Sequence, residues 1–168
     1  MDIETKGEIY KEFIVNTHNR LVLISEIFVK NIQKHSNFFG NKRFNVVYSI
    51  NKSIGHYYPG FECDYTICYS KAFKIGGMDL FHIKFTLFYC LNLDENLTHE
   101  EIIETAVFPI AEIIISVEKS SSKDYRIVRE NIIELSNEVT KFKDSISQDF
   151  GISEEKIKIK GFGKDLID

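Results

Sequence analysis

The chain has 168 residues, 43% hydrophobic and 27% charged, with a formal net charge of −4. That length suits one hydrophobic core of ordinary domain size. The acidic balance argues against a nucleic-acid module, which carries a basic stripe, and no apolar run reaches the roughly 18 residues that span a bilayer.

Residues 1–17 carry scattered apolar positions (Ile9, Tyr10, Phe13, Ile14) and read as a short helix or an irregular amino-terminal arm. This stretch has no signal-peptide hydrophobic region, so a cytoplasmic location is expected. From Arg20 to Ile32 the text RLVLISEIFVKNI is rich in β-branched residues and alternates at its end. It predicts a long strand, with a helix as the second reading because its start is almost wholly apolar. A loop, KHSNFFGNKR, follows. Phe44, Val46, Tyr48 and Ile50 then alternate with Asn45, Val47, Ser49 and Asn51, the period of a half-buried antiparallel strand. After the loop SIGHYYPG, the run FECDYTICYS alternates in the same way. Gly76-Gly77 suits the positive φ of a hairpin, and FHIKFTLFYCLNL supplies the next strand.

Thr98 and Glu101 form a capping box at the head of THEEIIETAVFPIAEIIISV. Apolar residues from Ile102 to Val117 recur at helical spacing, so a helix is expected over 98–117, bent at Pro109 to wrap the sheet. SSSKD breaks this pattern. A second helix is expected from Asp124 to Phe150, with Val128, Ile132, Leu135, Val139, Phe142 and Ile146 at heptad spacing. The tail from 151 to 168 holds a short strand, KIKIK. The fold expected is α+β: a four-stranded antiparallel sheet followed by two long helices, in a single domain.

Patterns that would carry chemistry are missing from the text. Cys63, Cys68 and Cys90 form no CxxC pair and read as reduced thiols on strands. The five histidines show no HxxxH or HExxH spacing, and no GxSxG elbow occurs. Gly161-Phe-Gly163 lacks the third glycine and following helix of a phosphate cradle. Glu100-Glu101 and Glu154-Glu155 stand at helix starts, where carboxylates favour the helix dipole. No cofactor or metal is expected, and no enzyme activity.

A binding surface is the remaining expectation. The loops present Phe38, Phe39, Tyr57 and Tyr58 in polar surroundings, and Phe28 and Phe88, with Val47 and Cys68, would line a groove on the second face of the sheet. Such a groove would take extended polypeptide, with rings for contact area and a strand edge for hydrogen bonds. The stripe Val128, Ile132, Leu135, Val139 and Phe142 faces either the chain's own core or another subunit of a homo-oligomer.

Over about residues 20–118, this order of elements resembles the SecB export-chaperone family. Ile27-Phe28-Val29-Lys30-Asn31-Ile32 is similar to that family's first-strand pattern I-Y-x-K-D-I. Phe108-Pro109-Ile110-Ala111 is similar to the first half of F-P-Y-A-R-E, with Ile110 in the place of Tyr. The family's carboxy-terminal signature for the translocation ATPase is not recognisable in GISEEKIKIKGFGKDLID. The resemblance implies a SecB-like fold and a non-enzymatic chaperone for unfolded polypeptides, assembled as a dimer or tetramer. The alternative is a module dedicated to one partner, in a toxin–antitoxin or anti-defence setting.

Overall fold

The computed structural model describes residues 1–34, 44–54, 59–69, 78–117 and 122–161. Helix α1 spans Ile3–Lys34 and is followed by strands β1 (Phe44–Ile54), β2 (Pro59–Tyr69) and β3 (Met78–Phe88). A short helix α2 (His99–Glu104), strand β4 (Ala111–Val117), helix α3 (Ser122–Phe150) and strand β5 (Ile157–Lys160) complete the order. The five strands form one sheet in the order β1-β2-β3-β4-β5. Neighbours are antiparallel from β1 to β4, and β5 runs parallel to β4. A parallel neighbour requires a crossover, and α3 supplies it.

This corrects the expected architecture. A helix comes first, the sheet is mixed with five strands, and helices stand at both ends of the chain. The Arg20–Ile32 run is helical. Its buried residues continue a stripe that begins in the supposed arm: Ile9, Phe13, Thr17, Leu21, Ile24, Phe28 and Ile32. Those steps of three and four keep one side of a helix facing inward for six turns, whereas alternation holds only from Ile27 to Lys30. β-Branched composition is a weak opponent of such a long stripe, because propensities differ by tenths of a kcal/mol, roughly, per residue.

The second correction lies at 98–117. The capping box forms as expected, with the Glu101 N–H donating to Thr98 Oγ1 at 3.2 Å and the Thr98 N–H donating to Glu101 Oε2 at 2.7 Å. The helix nevertheless stops at Glu104, and Pro109 lies between it and β4. A residue before proline is pushed out of the α region, so the chain extends there. Val107 pairs with Cys90 in both directions, at 2.7 and 3.0 Å. Ala111, Ile113 and Ile115 then point inward while Glu112, Ile114 and Ser116 sit on the other face. Helical spacing and alternation share several positions in this apolar run, and the three consecutive isoleucines favour the strand.

One face of the sheet is covered by α1 and α3. Phe142 of α3 is the hub of the core, with its ring 4.6 Å from Phe28, 5.2 Å from Phe85 and 5.8 Å from Tyr65, centroid to centroid. Aromatic pairs in tilted or edge-on contact at these distances add to the burial of apolar area. At the base of the two helices Arg20 stacks 4.2 Å over the Phe150 ring and donates from Nε to Asp149 Oδ2 at 3.1 Å. Gly161 ends β5 with a φ of 95°, and a Cβ there would stand 1.9 Å from the Ile115 carbonyl oxygen, so only glycine lets the chain leave this edge.

Candidate functional site

The residues expected to form a polypeptide groove are not brought together. Phe28 is 3% exposed and packs edge-on against Tyr65 on the helix-covered side. Phe88 is half-buried and belongs to the opposite face, since its neighbour Leu87 points inward. The sheet itself separates the two. Phe38, Phe39, Tyr57 and Tyr58 lie outside the described residues, as do the side chains of Val47 and Cys68. Of the supposed subunit-interface stripe, Leu135, Val139 and Phe142 are buried inside the chain's own core. The side chains of Val128 and Ile132 lie outside the description.

The face of the sheet away from the helices is mixed among the described residues, with Phe88 and Ile114 half-buried there beside polar side chains. Ser49 and Asn51 are exposed on β1, His82, Lys84 and Thr86 are half-buried on β3, and Lys158 and Lys160 are exposed on β5. Lys160 Nζ donates to Glu112 Oε1 across the strands at 3.3 Å. A cross-strand pair of opposite charge of this kind suits a solvated part of the face. The open cleft between α1 and α3, lined by Ile24, Ile27, Ser145, Gln148 and Asp149, is mixed in character. Leu23 and Ile27 beside it are exposed, as single apolar residues on protein surfaces commonly are.

Inside the core the Tyr65 hydroxyl meets Ser25 Oγ at 2.5 Å. Burial drives the phenol well above its ordinary value, and the neighbouring Cys63 thiol adds to the shift. A fully buried, hydrogen-bonded pair of this kind ties α1 to β2 and presents nothing to a substrate. Among the described residues no group of three or more His, Cys, Asp and Glu is placed to hold a metal ion. No described helix is long and apolar enough to cross a membrane.

What does offer a contact is the first edge of the sheet. β1 pairs with β2 over eleven residues with no register shift, and among the described residues β2 is its single strand neighbour. Its other side is a row of backbone donors and acceptors, the natural seat for an added strand. Edges are usually blunted by proline, bulges, shortness, charged side chains or a covering helix or loop. β5 is blunted in this way, with four residues, Lys158 and Lys160 among them. β1, FNVVYSINKSI, has no proline and one charge, Lys52. On the helix side Tyr48 stacks on Tyr65 at 6.0 Å, and Ile50 packs partly against the core. Both are half-buried, so an extra strand would cover apolar surface on that side and meet Ser49 and Asn51 on the other.

The alternation of β1 is plain in the sequence, but its position at the edge is not. Strand order comes from the pairing of β1 with β2 alone, and a first strand of a meander is an edge only if nothing later returns beside it. Comparison with protein-family models, curated proteins and solved structures gives no match. The two motifs that resemble SecB stand on other elements than that family's pattern implies: Ile27–Ile32 in α1, and Phe108–Ala111 at the entry to β4.

Proposed function

We propose that this chain binds polypeptide and performs no chemistry of its own. An extended segment of one partner protein adds to the outer edge of β1 as a further strand. The observation that carries this reading is the eleven-residue edge, paired with β2 on one side and with no described strand on the other. Main-chain hydrogen bonds give such a complex its affinity, and alternate side chains give it specificity.

The dedicated-partner version is favoured over a general holdase. A holdase needs a broad apolar track, whereas the large apolar residues exposed among those described are scattered: Ile3, Val15, Leu23, Ile27 and Val107. A homo-oligomer built on the α3 stripe loses its support, because Leu135, Val139 and Phe142 are already buried within the chain.

Fluorescence anisotropy with a labelled eleven-residue peptide alternating valine and serine tests the reading. Binding is expected, with slowed hydrogen exchange at the β1 amides. N-methylating alternate peptide amides along the docking edge should weaken binding at least about tenfold, since each hydrogen bond lost is worth roughly 0.5–1.5 kcal/mol. Equal binding of both peptides, or of neither, would remove the edge as the site. Suppression of aggregation of many unrelated unfolded proteins would restore the holdase.

A further inference from the structure

We propose that the strand accepted by β1 carries a carboxylate opposite Lys52, and that it therefore comes from another protein and not from a second copy of this chain. This rests on the edge reading above and narrows the partner's chemistry. Lys52 is the one charged residue of β1, and it is exposed. Its register partner on β2 is Phe61, a buried aromatic ring, so the inner neighbour across the ladder supplies no counter-charge. No ion pair to Lys52 occurs among the described residues, whereas Lys141 and Lys160 are each paired with a glutamate. Lys52 shares the helix-facing side of β1 with Tyr48 and Ile50.

An added strand would place one side chain directly opposite Lys52 on that same face. Side chains so placed have Cβ atoms roughly 4.5–5.5 Å apart, within reach of an ion pair. A carboxylate there is attracted, and a like charge is repelled. A second copy of β1 has no acidic residue to offer in any register, because none of the eleven is Asp or Glu. Its own candidates are apolar or neutral residues and another lysine. Charge complementarity thus selects a foreign strand: apolar residues toward the helices, one Asp or Glu among them, and neutral residues on the open face.

The test uses the full chain and a set of labelled eleven-residue valine–serine peptides, each with a single Glu or a single Lys moved along the valine positions. At one position the Glu peptide should bind about two- to fivefold tighter than the Lys peptide, the range expected of a cross-strand charge pair. Lys52→Glu should reverse that order while leaving the melting temperature unchanged, and added salt should compress the difference in both proteins. If peptides bind but Glu and Lys are equivalent at every position, the carboxylate is wrong and the edge stands. If no peptide binds, the edge reading itself falls. Sedimentation that shows a concentration-dependent dimer with β1 amides protected from exchange would give the edge to a second copy and overturn the proposal.

Discussion

The Tyr65 hydroxyl is the clearest case of one atom under strong constraint in this core. Its ring is fully buried between Phe28, Tyr48 and Phe142, and its oxygen meets Ser25 on α1. Tyr65→Phe keeps the ring but strands a buried serine hydroxyl, which costs about 1–3 kcal/mol. Adding Ser25→Ala to that variant should cost less than the two single changes summed, because both halves of one bond are then removed together. Chemical denaturation of the four proteins reads this directly, and strict additivity would dissolve the pair. Alkali provides an independent check. Burial, and then the Cys63 thiol, hold the folded phenol neutral above its ordinary value of 10.0. Unfolded tyrosine ionises near that value, so this contribution to stability is intact below pH 10 and declines as pH rises toward the folded value. The slope is about 1.4 kcal/mol per pH unit for one such group. Tyrosinate absorbance from Tyr65 should appear only together with loss of far-ultraviolet circular dichroism. Its appearance in the intact fold would contradict the burial.

Helix α2 shows how far local signals reach. Thr98 and Glu101 were legible as a capping box because the motif needs only residues three apart, and the box forms. The end of the helix was not legible, since it depends on β3 standing ready to pair with β4 from Phe81 to Leu87. Likewise α1 hides from a window of a dozen residues. Its stripe emerges only when Ile9 and Phe13 are read with Phe28 and Ile32 as one helix. Strands β1, β2 and β3 were read correctly as alternating, because alternation repeats within four residues. Of the expected stripe on α3, Leu135, Val139, Phe142 and Ile146 all point inward. Its partner, though, is the sheet of the same chain, and spacing alone does not distinguish the two. Thr98→Ala should destabilise the fold by about 0.5–1 kcal/mol at neutral pH through loss of the cap. The Thr98 N–H holds the Glu101 carboxyl below its ordinary value of 4.5, so the cap is fully present above that pH and fades as pH falls through the folded value. The difference between wild type and Glu101→Ala, which removes the carboxylate from that backbone N–H, should therefore shrink in acid. A difference that persisted unchanged at pH 2 would mean that the carboxylate takes no part.

Taken together, the layers make an asymmetric sheet. One face is sealed by α1 and α3, one edge is short and lysine-bearing, and the other edge is long and almost neutral. A chain with such an edge must avoid pairing with copies of itself while remaining open to a partner. Lys52 serves the first need by simple repulsion: two β1 strands in a register that opposes the lysines meet like charges, and other registers desolvate an ammonium against apolar side chains. Removing that charge should therefore expose the liability. Lys52→Val lengthens the alternating run to Phe44–Ile54 without any charge, while changing nothing that is buried, since Lys52 is exposed. Its unfolding free energy should stay within about 0.5 kcal/mol of wild type, as for other surface changes. Its aggregation during incubation below the thermal midpoint should be faster and should rise with concentration, whereas Lys52→Glu, which keeps a charge of the other sign, should aggregate no faster than wild type. Light scattering at several protein concentrations measures both. If Lys52→Val stays clear as long as wild type, the edge of β1 is shielded by something other than its one charge, and its availability to a partner strand is lost with the same result.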